Sequence, residues 1–263
     1  MMDSNYTRRE HPEEMKDSLQ HILFDLDGTL TDPKEGITKS VEYALNQFSI
    51  EVEHPDLLIP YIGPPLYDSF IEIQGFTAEA AAQAVEFYRE RYRTLGMFEN
   101  HVIPGIPELL ESLRSKGFEL YVATSKPIVF AEQILRHYEL DGFFKYAAGS
   151  NLDGTRSKKR EVIQHVLEEN NLLASHSLMI GDREHDIIGA RACGVASVGV
   201  LFGYGSEEEL SAAGADYIAH TVEEVGDIIQ RLQRNELGGQ GPRAEGLREL
   251  KLKGLSGQAG SGF

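Results

Sequence analysis

Two aspartates stand two residues apart at the end of an apolar run, in Phe24-Asp25-Leu26-Asp27-Gly28-Thr29-Leu30. His21-Ile22-Leu23-Phe24 reads as a short buried strand, and Gly28-Thr29 ends it. Side chains at i and i+2 share one face of a strand. Asp25 and Asp27 are therefore expected to project together from the carboxyl edge of a sheet, where open α/β folds bind ligands. Like charges that close are costly unless a cation or a shared proton relieves them. That cost points to chemistry.

Three further segments end in groups of complementary kinds. Leu120-Tyr121-Val122-Ala123-Thr124-Ser125 is a second apolar strand ending in two hydroxyls, with Lys126-Pro127 expected to open the next helix. Hydroxyls and free backbone N–H groups at such a turn hold phosphates, although Thr and Ser also serve as ordinary helix caps. Ser157-Lys158-Lys159-Arg160 places basic residues in the first turn of a helix. The helix dipole disfavours cations there, so another interaction is expected to hold them. Leu178-Met179-Ile180-Gly181-Asp182 is a third buried strand, and Asp186 follows one helical turn later, placed to face the same pocket as Asp182.

The order Asp-x-Asp-Gly-Thr, Thr-Ser, Lys, Gly-Asp-x-x-x-Asp resembles the haloacid dehalogenase superfamily of phosphotransferases over residues 21–236. Gly181 through Ala190, with Tyr61-Ile62-Gly63-Pro64-Pro65-Leu66, is similar to the phosphoglycolate phosphatase and 5′-nucleotidase-like branch. The resemblance implies that Asp25 attacks phosphorus and forms an aspartyl-phosphate. Asp27 then protonates the leaving alcohol and later takes a proton from the hydrolytic water. It implies a Mg²⁺ cofactor held by Asp25, the backbone carbonyl of Asp27 and Asp182. Thr124 and a lysine would hold phosphoryl oxygens, with Gly28 and Ser125 lining the phosphate site and Asp186 orienting the lysine or a metal-bound water. Aligning Lys159-x-x-Val162-Ile163 with the family's helix start favours Lys159 as that lysine, with Lys158 as the alternative. His185 is not expected to bind a hard oxygen-seeking ion.

The implied activity is hydrolysis of small phosphomonoesters, nucleoside 5′-monophosphates or 2-phosphoglycolate. Asp27 argues against dehalogenation, which needs no proton donor two residues after the nucleophile. A β-phosphoglucomutase also uses an acid there. Mutases of this type usually carry Val at the position of Thr29, and their basic substrate loop is not found here. A non-catalytic phospho-acceptor module has little use for Asp27.

These residues need a frame to bring them together. From residue 104 onward strands and helices alternate, which reads as a Rossmann-like parallel sheet with helices on both faces. Residues 28–123 are far more than one crossover helix needs, and the surplus is helical in pattern. The expected organisation is a catalytic core at 21–36 and 101–236, with an inserted all-helical cap at 37–100. A polar N-terminal extension at 1–20 and a Gly-rich, disordered tail at 237–263 would flank them. Tyr61 to Pro65 reads as a specificity loop or an interhelix turn, Lys34 and Glu35 as residues at the hinge or near the leaving group, and Tyr88, Arg89 and Tyr92 as packing and surface.

Net charge is −17 with no basic cluster, which argues against nucleic acid and anionic membranes as partners. An anionic metabolite must then be attracted locally. No run approaches a membrane span, and residues 1–20 lack the apolar core of a secretory leader. One cysteine, Cys193, read as a small core residue in a helix, permits no internal disulfide and suits a reducing, cytoplasmic setting.

Overall fold

Apolar runs bounded by Gly, Pro and Asp become the strands of a six-stranded sheet. The structure, a computed structural model, describes residues 19–234. Of the expected terminal segments, residues 1–18 of the extension at 1–20 and the whole tail at 237–263 lie outside the described residues. In chain order the strands are β1 His21–Phe24, β2 Thr31–Asp32, β3 His101–Val102, β4 Glu119–Pro127, β5 Tyr146–Ser150, β6 Ser177–Gly181, β7 Ala196–Val200 and β8 Tyr217–Ala219. The main sheet runs β5-β4-β1-β6-β7-β8, with all its pairs parallel. Its order reverses at β1, so the crevices beside that strand open at its carboxyl end, the place where doubly wound sheets take ligands.

Both faces of the sheet are buried, and the alternation of β1 makes this visible. Ile22 and Phe24 join one core, whereas Leu23 joins a second. Helices α4 (Ile106–Ser115), α5 (Ile128–His137) and α9 (Val222–Gln233) supply Leu110, Ile134 and Ile229 to the first. Helix α6 (Lys159–Glu169) gives Val162, Ile163 and Val166 to the second, together with Ala190 of α7 (Glu184–Ala192). Helix α8 (Glu207–Ala213) closes a small cluster of Leu210 on Ile187. This is the Rossmann-like α/β architecture expected from the alternation.

Between β2 and β3 the chain is helical. It forms α1 (Lys34–Asn46), a 3₁₀ turn Pro55–Tyr61, α2 (Leu66–Gln74) and α3 (Ala78–Tyr92). Thr77 caps α3 by accepting from the Ala80 N–H. The helix stops at Tyr92. Helices α1 and α3 bury Val41, Ala84 and Tyr88 in the same continuous core as the sheet. The segment leaves and returns through a two-stranded antiparallel ribbon, Thr31 opposite Val102 and Asp32 opposite His101. Across this stem α1 passes so close to the return path that a Cβ on Gly36 would lie 1.8 Å from the Gly96 carbonyl oxygen. Arg91 clamps the same place with two bonds to Glu99, at 2.7 and 2.9 Å. Among the described residues no helix is long and apolar enough to cross a membrane.

Candidate active site

The carboxyl ends of β1, β4 and β6 meet in one place, and the acidic pair of β1 lies between the other two. Asp25 continues β1 by donating its N–H to the Ile180 carbonyl at 2.9 Å. Its carboxylate is buried, with Oδ1 2.7 Å from Lys159 Nζ. The same ammonium lies 2.7 Å from Asp186 Oδ1 and donates to the Ala123 carbonyl at 3.1 Å. Two ion pairs and one hydrogen bond thus surround the ammonium, the pairing that a buried charge requires. Burial alone disfavours the Lys159 charge, but Asp186 and Asp25 outweigh it and raise its pKa. This is the interaction that holds a lysine against the helix dipole. Lys158, one residue earlier, is exposed at the N-cap of α6.

Asp182 is fully buried at the end of β6. Its Oδ1 accepts from Thr29 Oγ1 at 3.3 Å and its Oδ2 from the Tyr204 N–H at 2.8 Å. Burial, then the nearby Asp186 and Asp25, push its pKa well above the ordinary carboxylate range. Gly28 has φ +80, and a Cβ there would lie 2.2 Å from Asp182 Oδ2, so the turn after β1 admits only glycine on both counts. Asp186 reaches back to the Arg183 N–H at 3.1 Å, capping α7 while it faces Lys159.

Asp27 has different company. Its Oδ2 lies 2.5 Å from Lys126 Nζ, and its Oδ1 is buried with no hydrogen-bond partner. Burial raises its pKa, against the pull of Lys126. Thr124 is buried, and its hydroxyl accepts from the Lys126 N–H at 3.2 Å. Ser125 is half-buried and faces a cavity of about 570 Å³ between the sheet edge and the helical segment. Asp27 and Lys126 line that cavity from below, and Tyr61, Pro64, Tyr88 and Tyr92 from the helical side. One hydrogen bond crosses between its walls, from Arg89 Nη2 to the Leu152 carbonyl at 2.9 Å, and outside the cavity Arg183 Nη1 donates to the Ile62 carbonyl at 2.7 Å.

Asp25, Asp182 and Asp186 offer oxygens within 4.8 Å of one another. Against these three carboxylates stands the ammonium of Lys159, leaving two negative charges for one divalent cation to balance. All donors are hard oxygens, a set that fits Mg²⁺.

Several placements depart from the sequence reading. Lys126 does not open a helix: β4 runs through Pro127 and α5 begins at Ile128. The charge of Lys126 therefore belongs to the strand end, which the reading missed although it lies in Thr124-Ser125-Lys126-Pro127. Tyr88 and Tyr92 are packed, as read, but they also wall the cavity, and so does Arg89. Lys34 turns away to Asp56 at 2.6 Å. Tyr204, not singled out, bonds Asp32 through its hydroxyl and Asp182 through its N–H. Cys193 caps α7 half-buried rather than sitting within it.

A doubly wound domain with carboxylates and lysines at its switch point is built to manage an anion and a cation together. The model of the haloacid dehalogenase-like hydrolase family matches residues 22–200, and the chain belongs to that family. A 5′-nucleotidase of Pseudomonas aeruginosa is 56% identical over 194 residues, spanning 73% of this chain and 87% of that protein. Tyrosine-protein kinase PtkA of Mycobacterium tuberculosis is 37% identical over 215 residues, 81% of this chain and 73% of that one. A phosphoglycolate phosphatase of Vibrio parahaemolyticus is 26% identical over 216 residues, covering 79% and 95%. The solved structure of a predicted phosphatase from Clostridium acetobutylicum matches with a TM-score of 0.80 at 49% identity, covering 81% of this chain and 99% of that one. The protein is accordingly a phosphatase-type hydrolase of this family.

Proposed function

We propose that the protein hydrolyses small phosphomonoesters with Mg²⁺ as cofactor, nucleoside 5′-monophosphates foremost, by way of a phosphoryl group carried on Asp25. One observation carries this reading: two carboxylates at one strand end have different partners. Asp25 lies with Lys159 among the carboxylates of a cation site, whereas Asp27 faces the cavity with Lys126 and a raised affinity for protons. Pairs of acids whose surroundings differ in this way divide into nucleophile and proton carrier.

In the first step an Asp25 oxygen bonds to phosphorus, the ester P–O bond breaks, and Asp27 gives its proton to the departing alcohol oxygen. In the second Asp27 takes a proton from water as that water attacks phosphorus, which releases phosphate and restores Asp25. Lys159, the Thr124 hydroxyl, Ser125 and the backbone around Gly28 would hold the phosphoryl oxygens in place as charge shifts. Asp25, Asp182 and the Asp27 carbonyl would hold Mg²⁺, with Asp186 fixing Lys159; the ion's contribution is to neutralise phosphoryl charge beside an ionised Asp25. The helical segment at 37–100 serves as a cap that closes over the ester and excludes water.

The 5′-nucleotidase relative supports a nucleotide substrate more strongly than the more distant phosphoglycolate phosphatase supports phosphoglycolate. The kinase relative favours one second reading, in which a phosphoryl group passes to an acceptor hydroxyl instead of water. Phosphate release from nucleoside monophosphates, phosphoglycolate and sugar phosphates, with Mg²⁺ and with chelator, tests both. Metal-dependent release led by nucleotides is expected. Folded protein that releases no phosphate would sink the hydrolase reading.

A further inference from the structure

The chemistry proposed for Asp25 and Asp27 leaves Lys126 without a task, although its ammonium is one of the two buried at the strand ends. Its side chain is 5% exposed. A lysine so deep must be paired, and Asp27 Oδ2 is the partner at 2.5 Å. Its second contact is aromatic, with Nζ 4.9 Å from the centroid of the Tyr92 ring. That ring is itself fixed. It stacks on Tyr88 at 5.0 Å and 17°, and meets Phe130 edge-on at 5.5 Å.

A carboxyl turns easily about its last torsion, so something must aim it. Lys126 holds Oδ2, and Oδ1 is left with no hydrogen-bond partner, as the oxygen that can exchange a proton. Tyr92 belongs to α3 of the helical segment, Lys126 to β4 and Asp27 to the end of β1. The contact chain thus runs from one wall of the cavity to the other.

We propose that Lys126 is a positioning residue for Asp27, and that Tyr92 fixes Lys126 in turn, so that the proton donor is aimed when α3 covers the strand ends. The inference rests on the assignment of Asp27 as proton donor. It adds a coupling between the seating of the helical segment and the delivery of that proton.

Leaving groups distinguish this role from a structural one. p-Nitrophenolate departs as a stable anion and needs no proton, whereas the 5′-alkoxide of adenosine 5′-monophosphate does. Because kcat/KM covers only the steps through the first irreversible phosphoryl transfer, it isolates the proton-donating step. In Lys126→Met, kcat/KM is expected to fall at least tenfold more for adenosine 5′-monophosphate than for p-nitrophenyl phosphate. Lys126→Arg should recover part of the difference, and Tyr92→Leu should show the same selectivity to a smaller degree. Thermal unfolding checks each variant, and Lys126→Arg carries the test should the Met variant misfold. Equal losses on both esters, or none on either, would overturn the positioning role. A Tyr92→Leu variant without selectivity would overturn the coupling to α3. Asp27→Asn separates the two readings: if it too shows no selective loss, the assignment of Asp27 fails and the inference with it. Wild-type protein that cleaves neither ester overturns both.

Discussion

Asp25 and Asp27 are close in sequence, but Lys159 anchors one and Lys126 the other, and both ammonium groups come from other strands or helices. Replacing Asp25 by Asn is expected to reduce phosphate release to background, since no nucleophile remains. Asp27→Asn should slow turnover by about 10²- to 10⁴-fold, the usual contribution of a positioned acid–base group. Measured rates that matched wild type in either variant would contradict the assigned role. The aspartates are readable in the sequence because an acidic pair at the end of a buried strand has few inexpensive explanations. Lys159 is readable because a cation at a helix start needs a partner. Lys126 is not, for its meaning depends on Asp27, 99 positions away in sequence. Next to Pro127 it looks like an ordinary helix opening.

At the scale of elements, legibility follows length and periodicity. Helix α6, Lys159–Glu169, is legible because a basic first turn opens it and Val162, Ile163 and Val166 recur at helical spacing along it. The β2–β3 ribbon leaves no mark in the sequence: two residues per strand carry no period, and only their pairing across the helical segment defines them. That ribbon and the α1 crossing form the stem on which the helical segment stands. Gly36→Ala would place a methyl group 1.8 Å from a backbone oxygen, so the crossing must open. We expect a loss of about 1–3 kcal/mol in chemical denaturation, as for other overpacked sites. Unchanged stability would mean that the stem yields more readily than its packing suggests.

At the scale of the whole molecule, stability should depend on cation and on pH through different ends of the sheet. At the carboxyl end the clustered carboxylates repel, and the proposed divalent cation would relieve them. Mg²⁺ at 100 times its Kd is expected to stabilise the fold by about 2.7 kcal/mol, chelator to reverse this, and Asp182→Asn to diminish it. Equal melting temperatures with and without Mg²⁺ would count against the cation site. At the opposite end His21 sits 3.2 Å from Glu119. Burial lowers the His21 pKa below its ordinary 6.5, outweighing the attraction of Glu119. The unfolded chain therefore takes up the proton more readily. Stability from this group is complete above about pH 6.5 and is lost as pH falls from there through the folded value. His21→Gln should flatten the melting curve's dependence on pH in that window, and an unaltered slope would assign it to other groups.

The placement of β1 between β4 and β6 has a consequence for how the chain is made. Ile22 pairs with Leu178, 156 positions later (178 less 22). On a ribosome adding about 5–20 residues per second, that partner emerges roughly 8–30 s after Ile22 does. Until then β1, with its apolar Ile22, Leu23 and Phe24, has at least one edge unpaired, a state prone to association with other chains. The strand that leads into Asp25 and Asp27 is thus the first made, and its second edge closes only when β6 arrives. Its protection during synthesis falls to β4, to the helices that arrive before β6, and to whatever chaperone attends the nascent chain.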